Sequence, residues 1–180
     1  VLVEQNSIDM GLYYWIEQFD KNALERLQYP EGEIFSGDDV GWDEFYGSFP
    51  NEKKIKTYVF NPATYKRHIH QSGEKSIEFQ HRFNEFLTFL RDSNSAQLEQ
   101  GLSDFLNIEQ YAKWQAIINI FANFHGTAHD NVKWYLNSAT GLFEPILYDV
   151  QIYKHLQSDG SLFLDLGNNA NPVIEKINRS

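Results

Sequence analysis

Three stretches between Ser76 and Phe124 place apolar residues at helical spacing, and they constrain everything around them. From Ser76 to Arg91, residues Ile77, Phe79, Phe83, Phe86, Leu87 and Leu90 fall on one buried helix face. Ser95 to Leu106 gives a shorter helix with Leu98, Leu102, Phe105 and Leu106 inward. Asn107 followed by Gln110 reads as a capping box that opens a third helix, "IEQYAKWQAIINIFANF". There Ile108, Tyr111, Ala112, Gln115, Ile118, Ile120 and Phe121 form a stripe that also spills around it, so this helix is expected to be the central, most buried one, ending near Gly126. Helical faces this aromatic must be covered, and the remaining chain offers short strands to cover them.

The clearest strands form a hairpin. Val132, Trp134 and Leu136 alternate with Lys133, Tyr135 and Asn137, "SATG" supplies the turn with Gly141 at the position needing positive φ, and "LFEPILYD" returns. Pro145 marks the returning strand as an edge or a bulge. Val1–Val3 and Leu12–Ile16 read as a second hairpin around "EQNSIDMG", followed by a short helix, "DKNALERLQ", capped by Asp20 or Asn22. "EGEIFSGDDVGWDEFYGSFPNEKK" reads as mostly loop, because Gly, Asp and Pro interrupt any period. His68 and His70 alternate on a strand and read as surface residues. After Asp149 the pattern fades, and "DLGNNANP" reads as loop. No repeat or linker divides the chain, so one α+β domain over residues 1–180 is expected.

Composition narrows the partners. A chain with 42% hydrophobic and 16% aromatic residues has the makings of a core. No apolar run reaches the ~18 residues that cross a bilayer, so no membrane partner is expected. There is no cysteine, which removes disulfides, thiolate nucleophiles and Cys-ligated zinc together. The net charge is −10, with six acids and no base between Glu31 and Glu44. Such a surface repels a phosphate backbone and argues against nucleic acid as the main partner. It reads as a solvated acidic loop or as a dock for a basic peptide or cations.

The polar residues at the base of the hairpin need a separate explanation. Asp130-Asn131 precede it and Asp149 follows it. As a structural feature, each is a turn or a strand-end cap. As chemistry, an amide oxygen and a carboxylate on either side of one hairpin are hard ligands suited to Mg²⁺ against phosphate. His125 and His129, four apart, share a helix face if the helix continues, and with Asp130 they offer a zinc site. Gly126 argues that the helix has ended by then. The order of a buried helix, a loop with Asp and Asn, two strands and a further Asp is also that of a protein kinase C-terminal lobe.

Three segments carry a more specific likeness. "NSIDMGLYYWIEQFDKNAL", "LSDFLNIEQYAKWQAIINIFAN" and above all "HDNVKWYLNSATGLFEPILYDV" resemble the CotH kinase family, atypical protein kinases named after a bacterial spore-coat protein. The likeness runs from about Asn6 to Val150. It implies a kinase-like C-terminal lobe, a helical body with β-hairpins that begins near the interlobe region, with the N-terminal lobe either absent or in a part of a longer protein upstream of Val1. It implies ATP with Mg²⁺ or Mn²⁺, transfer of phosphate to Ser or Thr of a protein substrate, and a spore-coat, cell-surface or extracellular location. By position, Asn131 and Asp149 correspond to the family's metal ligands and Glu17 lies close to the nucleotide. The family's catalytic Asp, five residues before the Asn, falls on Gly126, leaving Asp130, His125 or His129 as base; a second acid of the family falls on Gln151. Two functions follow as expectations: phosphoryl transfer, or a kinase-like module that binds a protein or a nucleotide without turnover.

Overall fold

The computed structural model describes residues 2–5, 8–12, 19–38, 57–69, 73–121, 125–148 and 171–178; for 2–5, 8–12 and residue 125 it describes the backbone. The architecture is α+β, with a four-stranded antiparallel sheet packed under helices and a separate two-stranded hairpin. In the hairpin, β1 (Leu2–Gln5) pairs with β2 (Ile8–Leu12), and Gln5 faces Ile8. The strands therefore run closer together than the sequence suggested: Ile8–Asp9–Met10, read as turn, is strand. Residues 13–16, assigned to the second strand from sequence, lie outside the described residues. Helix α1 (Lys21–Arg26) starts where Asp20 accepts a hydrogen bond from the Ala23 amide at 3.0 Å, one of the two caps expected.

The sheet runs in the order β4 (Tyr65–Arg67), β3 (Gly32–Gly37), β5 (Lys133–Asn137), β6 (Leu142–Ile146). Strand β3 corrects the sequence reading, which had this stretch as loop. It is buried along its whole length and forms an inner strand. What hid it is Glu33, an acid in mid-strand that interrupts the apolar pattern yet is fully buried. The arginine that answers it is 34 residues away: Arg67 donates to Oε2 through Nε (2.9 Å) and Nη2 (2.5 Å), while Oε1 accepts from the amides of Ile34 (3.0 Å) and Ile69 (2.8 Å). The β5–β6 hairpin matches its expectation, with Gly141 at φ 71° and Pro145 on the edge strand β6.

One face of this sheet is the main core. Phe35, Trp134, Leu136 and Phe143 lie under α2 (Glu74–Asp92), whose Phe79, Phe83, Phe86, Leu87 and Leu90 are buried. Phe35 stacks on Phe83 with ring centroids 4.1 Å apart, and Phe86 stacks on Phe143 at 4.7 Å with Trp134 edge-on at 5.6 Å. Offset and edge-to-face contacts of this kind add about 0.5–1.5 kcal/mol each beyond area burial. Helix α3 (Ser95–Gly101) opens with a capping box between Asn94 and Gln97. Helix α4 (Ile108–Ile120) is capped by Asn107, whose Oδ1 accepts from the Gln110 amide at 3.2 Å.

The expectation that α4 is the central helix is corrected. It buries Tyr111, Trp114 and Ile118 but leaves Ile108 and Ile120 exposed, and the aromatic spine belongs to α2. The spill of apolar residues around α4 spread its burial instead of concentrating it. The α4 helix also ends at Ile120, before Gly126, which sits in a 3-10 turn, His125–Thr127. Helix α5 (Pro172–Asn178) went unread: Asn171 accepts from the Val173 amide at 3.0 Å, Pro172 occupies the first turn, and Val173, Ile174 and Ile177 enter the core.

The second face of the sheet is smaller. Ile34 and Tyr135 pack with Leu24 of α1 and with Phe19, Ile69 and Ile146. Among the described residues no helix is long and apolar enough to cross a membrane.

Candidate functional site

The site begins with the turn that joins the helices to β5. After His125–Thr127 the chain turns on Ala128, whose carbonyl accepts from the amides of Asn131 and Val132, both at 3.0 Å. This double bond orients the Asp130-Asn131 corner. A long-range bond fixes it to the sheet: the Gly37 amide donates to the His129 carbonyl at 3.1 Å. Gly37 is needed there because a Cβ would stand 2.2 Å from the His129 ring and 2.4 Å from its carbonyl oxygen.

His129 turns inward. It is 4% exposed, with the rings of Tyr65 and Tyr58 edge-on at 4.6 and 5.5 Å. Tyr58 in turn donates its hydroxyl to Asp38, and the Asp38 amide donates to the Thr64 carbonyl at 2.9 Å. Burial lowers the His129 pKa to about 4, against the opposing pull of a Thr64 backbone hydrogen bond and the Asp38 charge. The imidazole, neutral and enclosed by Tyr58 and Tyr65, packs behind the loop and holds it. The described residues contain no group of three or more His, Asp or Glu side chains that could hold a metal; the side chain of His125 lies outside them.

This burial has a pH consequence. The folded pKa lies below the unfolded value of about 6.5, so the stabilisation is complete above pH ~6.5 and is lost as pH falls towards 4. The expected loss is about 3 kcal/mol across that window. His129→Gln, which cannot take up a proton, should flatten the dependence when urea unfolding is compared at pH 7 and 4.5. Equal pH slopes in variant and wild type would contradict the assignment.

Asp130 is half-buried and Asn131 is 8% exposed. Both sit at the base of the β5–β6 hairpin, as expected. Lys133 opposes Ile146 in the ladder, so β5 begins and β6 ends at the same level of the sheet. Tyr148, two residues past Ile146, returns over Lys133, whose ammonium lies 4.6 Å from the ring centroid. The structure thus brings together the two flanks of the hairpin at residues 130–133 and 146–148. Asp149 and Glu17 lie outside the described residues.

Sequence reasoning missed Lys133. On an alternating strand a lysine reads as solvent-facing, but this one is 8% exposed and donates to the Asp130 carbonyl at 2.9 Å. Its signal was its place three residues after Asp130, at the strand end nearest the polar corner. His68, read as a surface residue on a strand, is half-buried just past β4, with its Nε2 2.7 Å from Ser36 Oγ. His70 lies outside the described residues.

A family model described as CotH kinase protein matches residues 1–169. The inner spore coat protein H of Bacillus subtilis (strain 168) is 24% identical over 147 residues. That alignment covers 82% of this chain and 38% of the relative, so the chain spans well under half the length of the protein it matches. The matched stretch takes in α1 to α4, the sheet and the polar corner at the hairpin base, and on that extent the chain belongs to the CotH kinase protein family.

Proposed function

We propose that this chain is the C-terminal-lobe part of a CotH-type protein kinase that transfers the γ-phosphoryl group of ATP to Ser or Thr of a protein substrate. The observation that carries the reading is the family match over residues 1–169, with Asp130 and Asn131 held at the base of a hairpin whose second strand ends three residues before Asp149. The donor set suits the implied ion, because an amide oxygen and a carboxylate are hard ligands that Mg²⁺ or Mn²⁺ prefers. Asn131 and Asp149 would hold the metal, Asp130 would orient the acceptor hydroxyl or take its proton, and Glu17 would lie near the nucleotide. Mg·ATP, when bound, supplies the transferable phosphoryl group and neutralises its charge.

The chain's own contribution is positioning, which accounts for most of phosphoryl-transfer catalysis. The Ala128 carbonyl, the Gly37–His129 bond and the enclosed His129 ring fix the Asp130-Asn131 corner from behind. A spore-coat or cell-surface setting, with a protein of that surface as substrate, is part of the proposal because the matched relative is named an inner spore coat protein.

One observation favours a second reading. Gly126 stands five residues before Asn131, where the family resemblance implies the catalytic acid. A kinase-like module that binds a nucleotide or a protein without turnover fits that replacement. The test is transfer of radiolabelled phosphate from ATP to a casein-like or self substrate, with Mg²⁺ or Mn²⁺, by the full-length protein. Transfer is the expected result. Nucleotide binding without transfer would move the function to a nucleotide-binding module, and neither would defeat the kinase reading and leave a module that binds protein.

A further inference from the structure

We propose that the groove between α2 and the tip of the β5–β6 hairpin binds a basic peptide segment of a partner protein, with an apolar side chain on its floor and Lys or Arg side chains against its acidic rim. The proposal stands apart from the phosphoryl-transfer reading and uses none of the Asp130-Asn131 corner.

The groove begins with an isoleucine on the wrong side of its helix. Spacing along α2 puts Ile77 on the buried face, yet it is 72% exposed, while Phe79 is buried. A single exposed apolar side chain is ordinary on a protein surface. This one lines a cavity of about 630 Å³, whose walls include Phe79, Leu136 and the hairpin-tip residues Ser138 and Gly141. A largely apolar concavity of that size is in the range that ligands and inserted side chains fill.

Charge decides the occupant. The ionisable side chains along the groove are Glu74, Glu78, Glu85, His81 and Arg82, all on α2. Glu85 is answered within the helix, by His81 at 3.3 Å and Arg82 at 3.4 Å. Arg82 is the i+4 partner that Glu78 would ordinarily have, but its guanidinium is drawn off to the carbonyls of Gly141 (3.3 Å) and Asp104 and lies 4.3 Å from the centroid of the Phe105 ring. Lys75 is drawn off to Glu31 at 2.6 Å. Among the described residues, Glu74 and Glu78 are therefore exposed carboxylates with no ion pair. One helical turn apart, with Cβ atoms about 5–6 Å from each other, they repel. Glu74 has the helix dipole to offset this in the first turn; Glu78, a turn further in, has little of it. A cation set against both relieves the repulsion, and an apolar side chain beside it covers Ile77. Alternate residues of an extended peptide are about 7 Å apart, so Lys or Arg at such positions can meet both carboxylates. The net charge of −10 draws a basic segment towards this surface and repels an acidic or phosphorylated one.

The experiment is selection of random dodecapeptides displayed on phage against the full-length protein, followed by fluorescence anisotropy with the most enriched peptide. Peptides that carry Lys or Arg beside an aliphatic residue should be enriched. Glu78→Gln should weaken the selected peptide about 3- to 5-fold, and Glu78→Lys roughly 10-fold or more. Ile77→Asp should weaken it by roughly 10-fold or more through loss of the apolar contact. Glu99→Lys, the same charge change at an exposed position of α3, should leave binding unchanged. Added salt should weaken binding to wild type, and less so to Glu78→Gln. Melting temperatures of these variants should match wild type, because the positions are exposed. Enrichment of acidic or uncharged peptides, or of basic peptides that bind Glu78→Lys as well as wild type, would overturn the proposal, as would no enrichment at all. Dimerisation of the protein that Ile77→Asp abolishes would give the groove to a second copy and overturn the basic partner.

Discussion

Replacing Glu33 by alanine is expected to lower the unfolding free energy by about 3–5 kcal/mol, enough to leave the chain marginal at 37 °C. The carboxylate is fully buried and answers three donors: the Arg67 guanidinium and the amides of Ile34 and Ile69. Truncation leaves a guanidinium that is only 19% exposed without its anion and two amides without their acceptor. Glu33→Gln keeps the acceptor for the amides and should cost less. The double variant Glu33→Leu/Arg67→Met should recover part of the loss, since a buried ion pair replaced by apolar groups of similar volume is often neutral or better. Urea denaturation of the four proteins checks this. A cost below about 1 kcal/mol for Glu33→Ala would show that the pair is not a determinant of the fold.

Asp149→Ala is expected to abolish phosphoryl transfer, by at least ~100-fold, with little change in stability. A carboxylate that holds a metal against phosphate stabilises charge that grows during transfer, and loss of one such group raises the barrier by several kcal/mol. Away from packing, polar-to-alanine changes cost less than about 1 kcal/mol of stability. Asp130→Ala should be mild if the reaction demands little of a base, and severe if Asp130 has taken over from the acid that Gly126 replaces. Initial rates with radiolabelled ATP, set beside melting temperatures, separate these effects. Wild-type transfer by Asp149→Ala would remove it from the metal site.

The elements that could be read from sequence were those whose information is local. The β5–β6 hairpin announces itself through the alternation around Trp134 and the Gly141 turn, and α2 through its single aromatic stripe. Strand β3 could not be read that way, because Glu33 makes sense only beside Arg67, and that pairing is tertiary. Helix α5 was different: its Asn171 cap, Pro172 and Val173/Ile174/Ile177 spacing were present in the sequence and too short to stand out. The same division holds at the site. Asp130 and Asn131 were placed correctly at the hairpin base because a strand boundary is local. The inward turn of His129 and the enclosure of Lys133 depend on Gly37, Tyr58, Tyr65 and Tyr148, none of which a one-dimensional pattern links to them.

The position of β3 between β4 and β5 also sets an order of assembly. Its partner on one side follows about thirty residues later, but Gly32 meets Asn137 only after roughly 100 further residues have been made. At ~5–20 residues per second, a ribosome holds β3 with that edge open for about 5–20 s. The β5–β6 hairpin closes on its own in microseconds once emerged, so the slow step is the search that brings β3 alongside it. During synthesis the open edge, with Ile34 and Phe35 on it, is a template for pairing with other nascent chains. Yield on expression should therefore respond to translation speed and to chaperones that cover strand edges more than to the stability of the finished protein.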